Sequence, residues 1–176
     1  MITMIATDWA IASRYDRLVE DRSRPAARSG RIVAVCISAG GIPKLPVESA
    51  MVDQQSIVGD GRAHAKHIRP DRAVSLWDLE ILEQLVKEGF ALVPGAAGEN
   101  LTVENLDVQS LPVGSVLTVG EVQLRLESPR KPCYVLDAID PRLKEVIVGR
   151  CGYLASVLRG GVIRFGSAIR LASIPL

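Results

Sequence analysis

From Arg31 onward, short apolar runs alternate with breaks at glycine and proline, and two periods can be read in them. Period-two alternation is clearest in Glu121–Ser128, where Val122, Leu124 and Leu126 share one face of a predicted strand. The predicted strands are Ile32–Ser38, Val47–Val58, Leu101–Val103, Val116–Val119, Val122–Ser128 and Ala168–Leu171, with Val119-Gly120-Glu121-Val122 as a tight hairpin turn. A helical period marks two other segments. In the first, Ser75 caps the start and Asp78 completes the capping box. Leu79, Leu82 and Val86 form its apolar stripe with Leu85 beside it, and Gly89 ends it. The second is expected to start near Pro141, with Asp140 ahead of it and Leu143, Val146 and Ile147 as its apolar face. After the Gly149–Gly152 turn, Tyr153–Leu158 is expected to continue helically. Many short strands at close spacing predict a mainly β barrel or sandwich, architectures that remove or protect sheet edges.

The chain before this pattern has another texture. Met1–Ile5 is apolar, but no charged residue precedes it and Asp8 interrupts it, which argues against a signal peptide. Asp16, Glu20 and Asp21 argue against an organellar transit peptide. Arg22–Gly30 reads as a solvated linker, and the residues before it as a short helix docking on the domain or on a second subunit of a homodimer. Residues 1–29 are thus expected to be an extension or linker, and 30–176 the domain.

Length and charge narrow the function classes. At 176 residues the chain suits one domain, with ~70% of the unfolded surface buried. The balance of 21 basic against 20 acidic residues, with few aromatics, argues against nucleic acid as the main partner. No apolar run approaches the ~20 residues that span a bilayer, so no membrane partner is expected. Cys36, Cys133 and Cys151 lie far apart without a CxxC pair, which fits a reducing, cytoplasmic compartment. Cys36 lies within an apolar strand run and is expected in the core; Cys151 is flanked by glycines, near the site or filling space.

Ser128-Pro129-Arg130-Lys131-Pro132-Cys133 gives one thiol a special address. Pro129 and Pro132 cannot donate to a sheet ladder, which places Cys133 just past the end of its strand. Arg130 and Lys131 supply the positive charge that favours thiolate, the form that attacks electrophiles and binds soft metals. Against this stands a small buried hydrophobe, the commonest fate of a free cysteine. Gly95–Thr102 is a second candidate, with Glu99, Asn100 and Thr102 among its polar groups. Its glycines allow backbone N–H groups close to an anion, and Asn100 can pair with a pterin or purine edge. The alternative is that Glu99 and Asn100 satisfy their own turn. Lys44 follows Gly40-Gly41 and could meet a phosphate or simply stand exposed on a turn. Arg72 could bind phosphate or carboxylate, or pair with Asp60 or Asp71. His64 and His67 can share a helical face as metal ligands, but zinc wants three or four, so a surface pair is the expected reading.

Taken in order, several segments resemble the MOSC family, named after the C-terminal part of molybdenum-cofactor sulfurase. They are Ile37–Val47, Val58-Gly59-Asp60, Asp71–Leu76, Pro94–Thr102, Pro129–Cys133 and Gly160–Gly166, within a match from about Gly30 to Leu171. The resemblance implies a β-barrel with two or three peripheral helices that handles molybdenum cofactor or sulfur; pyridoxal phosphate is not an expected cofactor. In the mitochondrial amidoxime-reducing relatives a cysteine in the matching segment ligates molybdenum, and here that cysteine is Cys133. Lys44, Arg72, Glu99, Asn100, Thr102, Arg130 and Lys131 are the implied cofactor contacts. An oxidoreductase acting on small N-hydroxylated bases or amines would need an electron-donor protein, because no flavin, haem or iron–sulfur motif is visible. A carrier of persulfide sulfur or cofactor would need a sulfur-donor partner instead. Two departures stand out. Ile68-Arg69-Pro70-Asp71 replaces a common Gly-Gly-Pro-Asp, and Gly166-Ser167 replaces Gly-Asp.

Overall fold

Period-two alternation becomes the wall of a closed barrel. The computed structural model describes residues 29–61 and 69–173; the N-terminal segment and the His64–His67 pair lie outside them. Among the described residues the strands are β1 (Ser29–Ile37), β2 (Leu45–Val47), β3 (Ser49–Val52), β4 (Val74–Asp78), β5 (Leu101–Glu104), β6 (Val116–Val119), β7 (Val122–Pro129), β8 (Tyr153–Arg159), β9 (Gly161–Arg164) and β10 (Ala168–Ser173). Two α-helices accompany them, α1 (Leu79–Lys87) and α2 (Leu143–Val146), with short 3-10 turns at Pro70–Arg72, Val108–Ser110 and Tyr134–Ala138.

Seven strands close in the order β1, β5, β4, β8, β7, β6, β10 and back to β1. Strand β1 makes this possible by serving two neighbours on one edge. Its first residues, Ser29–Arg31, pair with β10, and its last, Val35–Ile37, pair with β2. All pairings are antiparallel except β4 with β5. The β6–β7 hairpin has the register expected from the sequence, Val119 opposite Val122 and Leu117 opposite Leu124. Strands β3 and β9 form a separate ribbon.

The barrel interior is aliphatic, with Ile32, Val35, Leu76, Leu101, Val103, Leu117, Leu124 and Leu126 among its buried residues. A second cluster holds the helices outside the barrel, built on Trp77, Leu82, Leu85, Phe90, Leu136, Leu143 and Ile147. Strand β4 serves both, so all five of its residues are buried. Val74 and Leu76 join the barrel core, Trp77 joins the outer cluster, and the Trp77 indole N–H donates to the Arg150 carbonyl (2.9 Å).

Several expectations need correction. Ser75 is not a helix cap. It sits within β4, and α1 starts only at Leu79, because apolar Val74, Leu76 and Trp77 are buried on two faces of a strand. The carboxylate of Asp78 does not cap that helix either; it accepts the N–H groups of Val108 (2.7 Å) and Gln109 (2.8 Å). Burial settles α1 on Leu79, Leu82 and Leu85, leaving Val86 exposed. Tyr153–Leu158 is extended, not helical: it pairs with both β7 and β4, and Tyr153, Ala155 and Val157 are buried. Val47–Val58 is broken into the end of β2, strand β3 and a bridge from Val52 to Ile57. Ser29 and Gly30 belong to β1 rather than to a linker. A Cβ at Gly30 would fall 2.0 Å from the Glu104 carbonyl oxygen, so this glycine serves close strand approach, not flexibility.

Candidate functional site

The two segments singled out from sequence meet at one end of the barrel, but they face opposite ways. Strand β7 ends at Pro129, where its register against β8 has shifted between Leu126 and Ser128. Such irregularities bend a strand and re-aim the side chains that follow. Beyond it, Arg130-Lys131-Pro132 leads to Cys133, which is exposed and begins the Tyr134–Ala138 turn. The expected position of Cys133, just past the strand's end, is therefore the observed one, and the buried alternative is not.

A cleft of about 570 Å³ opens here, lined by Arg72, Ser75, Gly98, Ser128, Pro129, Arg130, Lys131, Cys133 and Leu154. Three cations and one thiol line it, and none of the described lining residues is acidic. Among the described residues Arg72 forms no ion pair with Asp60 or Asp71, and each of those acids is engaged elsewhere. Asp71 accepts from Arg69 (3.0 Å), and Asp60 holds Lys44 and Asn100. Arg130 is half-buried and bridges two loops, donating to the carbonyls of Ala97 (2.9 Å) and Cys151 (3.4 Å). Lys131 is exposed on the rim. Leu154 gives the cleft an apolar wall because β8 places it opposite Ser128.

Gly95–Thr102 lies beneath this cleft with its polar groups turned inward. Glu99, Asn100 and Thr102 are each 0% exposed. Asn100 Oδ1 accepts from the Ser75 N–H and hydroxyl (both 3.1 Å), while Nδ2 donates to the Cys36 carbonyl (3.2 Å) and Asp60 Oδ2 (2.9 Å). Its side chain is thus a four-way tie among β1, β4 and the Asp60 loop. Glu99 Oε1 accepts from the Gly95 N–H (2.7 Å) and the Thr102 hydroxyl (3.2 Å), and Oε2 is buried with no hydrogen-bond partner among the described residues. Burial pushes the Glu99 carboxyl up, opposed by the charge of Arg130 and the Gly95 N–H. The Gly95, Ala96 and Gly98 N–H groups of this loop all donate within the protein. Gly95 is required for packing, since its φ is +87° and a Cβ there would fall 2.3 Å from the Lys44 carbonyl oxygen.

Lys44 is also not the expected turn cation. It is 7% exposed and ion-paired with the fully buried Asp60 carboxylate. Asp60 Oδ1 also accepts from the Ser38 N–H (3.0 Å). Cys36 lies in the core as expected, and burial, with Glu99 next, pushes its thiol up to about 12. Cys151 is buried too; burial raises its thiol while Arg130 pulls it down. Among the implied contacts, then, Arg72, Arg130, Lys131 and Cys133 share the cleft, whereas Lys44, Glu99, Asn100 and Thr102 form the buried layer below. Sequence reading missed Ser75, Ser128 and Leu154 as lining residues. Leu154 carried no local signal, because only the β7–β8 pairing brings it there. Of the two departures noted above, Arg69 is exposed and pairs with Asp71, and Gly166-Ser167 is a turn whose Ser167 carbonyl accepts the Ile32 N–H (2.9 Å).

Comparison with known proteins gives this architecture its relatives. YflK of Bacillus subtilis is 32% identical over 143 residues, covering 76% of this chain and 63% of YflK. A protein of Gibberella moniliformis named "Reductase" is 37% identical over 128 residues, 68% of this chain but 23% of that protein. The chain thus spans less than two thirds of the length of these relatives. The crystal structure of YiiM from Geobacillus stearothermophilus superposes with a TM-score of 0.68 at 25% identity, over 82% of this chain and 75% of that one. The MOSC domain model matches residues 63–170, more than half of the sequence, and the chain belongs to the MOSC domain family.

Proposed function

We propose that the cleft binds the molybdenum cofactor, with Cys133 as a metal ligand, and that the protein reduces N-hydroxylated bases or amines using electrons from a partner protein. The observation that carries this reading is the exposed Cys133 thiol beside Arg72, Arg130 and Lys131 in a lining without acids. A soft thiolate suits a soft, sulfur-rich metal centre, and arginine suits phosphate. Among the described residues no three His, Cys, Asp or Glu side chains converge on a metal position. Cys133 would therefore act as one donor among several brought by an organic ligand. Arg72, Arg130 and Lys131 would hold the ligand's phosphate, and Leu154 and Pro129 its less polar parts. Bound there, the cofactor would supply metal-centred two-electron redox chemistry. A relative named as a reductase supports the same direction.

The exposure of Cys133 also favours a second reading, in which the thiol carries persulfide sulfur or cofactor to a partner. Elemental and pterin analysis of protein from a cofactor-competent host tests the first reading, comparing wild type with Cys133→Ala. Molybdenum or tungsten with pterin is expected in the wild type and most of it is lost in the variant, without unfolding. Wild-type metal content in Cys133→Ala overturns Cys133 as ligand. Turnover of an N-hydroxylated base with a chemical reductant then separates enzyme from carrier.

A further inference from the structure

Arg130 is held from behind by the residues that lead into β8. Its N–H donates to the Gly152 carbonyl (2.8 Å), and its guanidinium donates to the carbonyl of Cys151 next to it (3.4 Å). The position of Gly152 therefore governs where Arg130 stands. Gly152 is buried against β4 with a φ of +78°, and a Cβ there would fall 2.0 Å from the Leu76 carbonyl oxygen. Its own N–H is taken by a side chain 43 residues away in sequence, Gln109 Oε1 (2.8 Å). Gln109 is fixed in turn. The N–H groups of Val108 and Gln109 donate to the buried Asp78 carboxylate (2.7 and 2.8 Å), and the Tyr153 hydroxyl donates to the Leu111 carbonyl (2.8 Å). Leading into this turn, Asn105 and Asp107 adopt left-handed φ values of 60° and 55°. Such conformations persist in non-glycine residues where the surroundings over-determine them.

We propose that Gln109 is a positioning residue of the cleft: by holding the Cys151–Gly152 peptide, it sets the Arg130 guanidinium where it meets a tetrahedral oxyanion. This rests on the reading of the cleft as an anion site. The Gly152 N–H and the Cys151 carbonyl belong to one planar peptide group. The bond from Gln109 thus fixes the direction of the carbonyl that receives the guanidinium. The next carbonyl, that of Gly152, holds the Arg130 backbone. Without the Gln109 acceptor, a buried N–H loses its partner at a glycine, the residue whose backbone is least restrained. The peptide can then turn, and Arg130 turns with it. Gln109 itself is uncharged and stands outside the cleft lining, so its influence on an anion passes through Arg130.

Sulfate, a tetrahedral oxyanion, is the probe, titrated by calorimetry into the full-length, cofactor-free protein. Gln109→Met keeps the side chain's length and removes its acceptor, and should weaken sulfate binding ~3- to 10-fold. A double-mutant cycle then reads the route. In an Arg130→Met background Gln109→Met should weaken binding by less than ~2-fold, whereas in Lys131→Ala it should keep its full effect. A Gln109 that only supports the fold lowers the melting temperature and leaves the sulfate affinity of the folded variant at the wild-type value. That result overturns the inference, as does an equal effect in both backgrounds. A second measurement needs no variant to fold. By reciprocity, saturating sulfate should slow hydrogen exchange at the wild-type Gly152 amide at least ~3-fold, followed by NMR. An unchanged rate in sulfate-bound protein overturns the relay while leaving the anion site intact. Failure of the wild type to bind sulfate overturns the anion site and the inference together.

Discussion

Gly95–Thr102 and Ser128–Cys133 look alike as sequences: each pairs conformationally special residues with a short polar run near a strand. In the fold they are opposites. Glu99, Asn100 and Thr102 are fully buried and bonded to their neighbours, whereas Pro129, Lys131 and Cys133 are exposed. The difference lies in where each run meets its strand. Gly95–Thr102 leads into β5, which is enclosed between β1 and β4, so its polar groups must find partners inside the protein. Ser128–Cys133 leaves β7 through two prolines, which cannot continue the ladder, and its side chains emerge at the barrel's end. The first region builds the floor and the second presents the chemistry.

Thiol labelling breaks the comparison most sharply. Cys133 is expected to react with a small alkylating agent at least ~10³-fold faster than Cys36 or Cys151, which must await local or global opening. Mass-spectrometric mapping over time reads the order. Rates for Cys36 within tenfold of Cys133 would show that the floor is open to solvent.

Asn100→Ala tests the floor itself. The substitution removes four side-chain hydrogen bonds and strips a partner from the buried Asp60 carboxylate. A loss of ~3 kcal/mol or more is expected, lowering the melting temperature by ~10 °C. A melting temperature within about a degree of wild type would return Asn100 to the role of an exposed ligand contact.

The same inward character should appear as a pH dependence at Asp78. Burial pushes its carboxyl up to about 6, against two backbone N–H donors. In the unfolded chain it titrates near ~3.9. Between these values the folded protein holds a proton that the unfolded chain has released. Stability from this group is therefore fully present below pH ~4, falls as pH rises to ~6, and then levels, a change on the order of 2–3 kcal/mol. Urea titrations at several pH values should show a shallower decline in Asp78→Asn. An unchanged slope would mean that Asp78 does not titrate in this window.

How much of this was legible in the sequence differs between the two regions. The β6–β7 hairpin, the core position of Cys36 and the emergence of Cys133 follow from alternation, from a continuous apolar run and from proline's missing donor, all local signals. The four ties of Asn100 run to Ser75, Cys36 and Asp60, which are 25, 64 and 40 residues away. No local pattern carries such partners. Strand β8 was misread for a related reason. Tyr153, Ala155 and Val157 do alternate, but Leu154 and Leu158 blur the period, and pairing with β4 and β7 decides it. Lys44 looked like a surface cation because its partner Asp60 comes from a separate loop.

The smallest effects should sharpen the comparison by sorting the three cleft cations. Lys131 is exposed and Arg72 half-buried, and among the described residues neither side chain ties one element to another, so neither is expected to hold the fold. Arg72→Ala and Lys131→Ala should each weaken sulfate binding ~2- to 5-fold, corresponding to ~0.5–1 kcal/mol for partly solvated charges. Their stabilities should stay within ~0.5 kcal/mol of wild type. The Arg72 effect should be the larger, because a half-buried guanidinium is less screened by water and salt. Arg130 differs from both, since it also ties the carbonyls of Ala97 and Cys151 across two loops. Arg130→Met should therefore lose sulfate affinity and stability together, which neither other variant does. Equal stability losses in all three would show that the exposed region is structural as well, and the distinction between floor and cleft would fail. A loss of affinity without loss of stability at Arg130 would mean instead that its loop contacts form only around a bound anion.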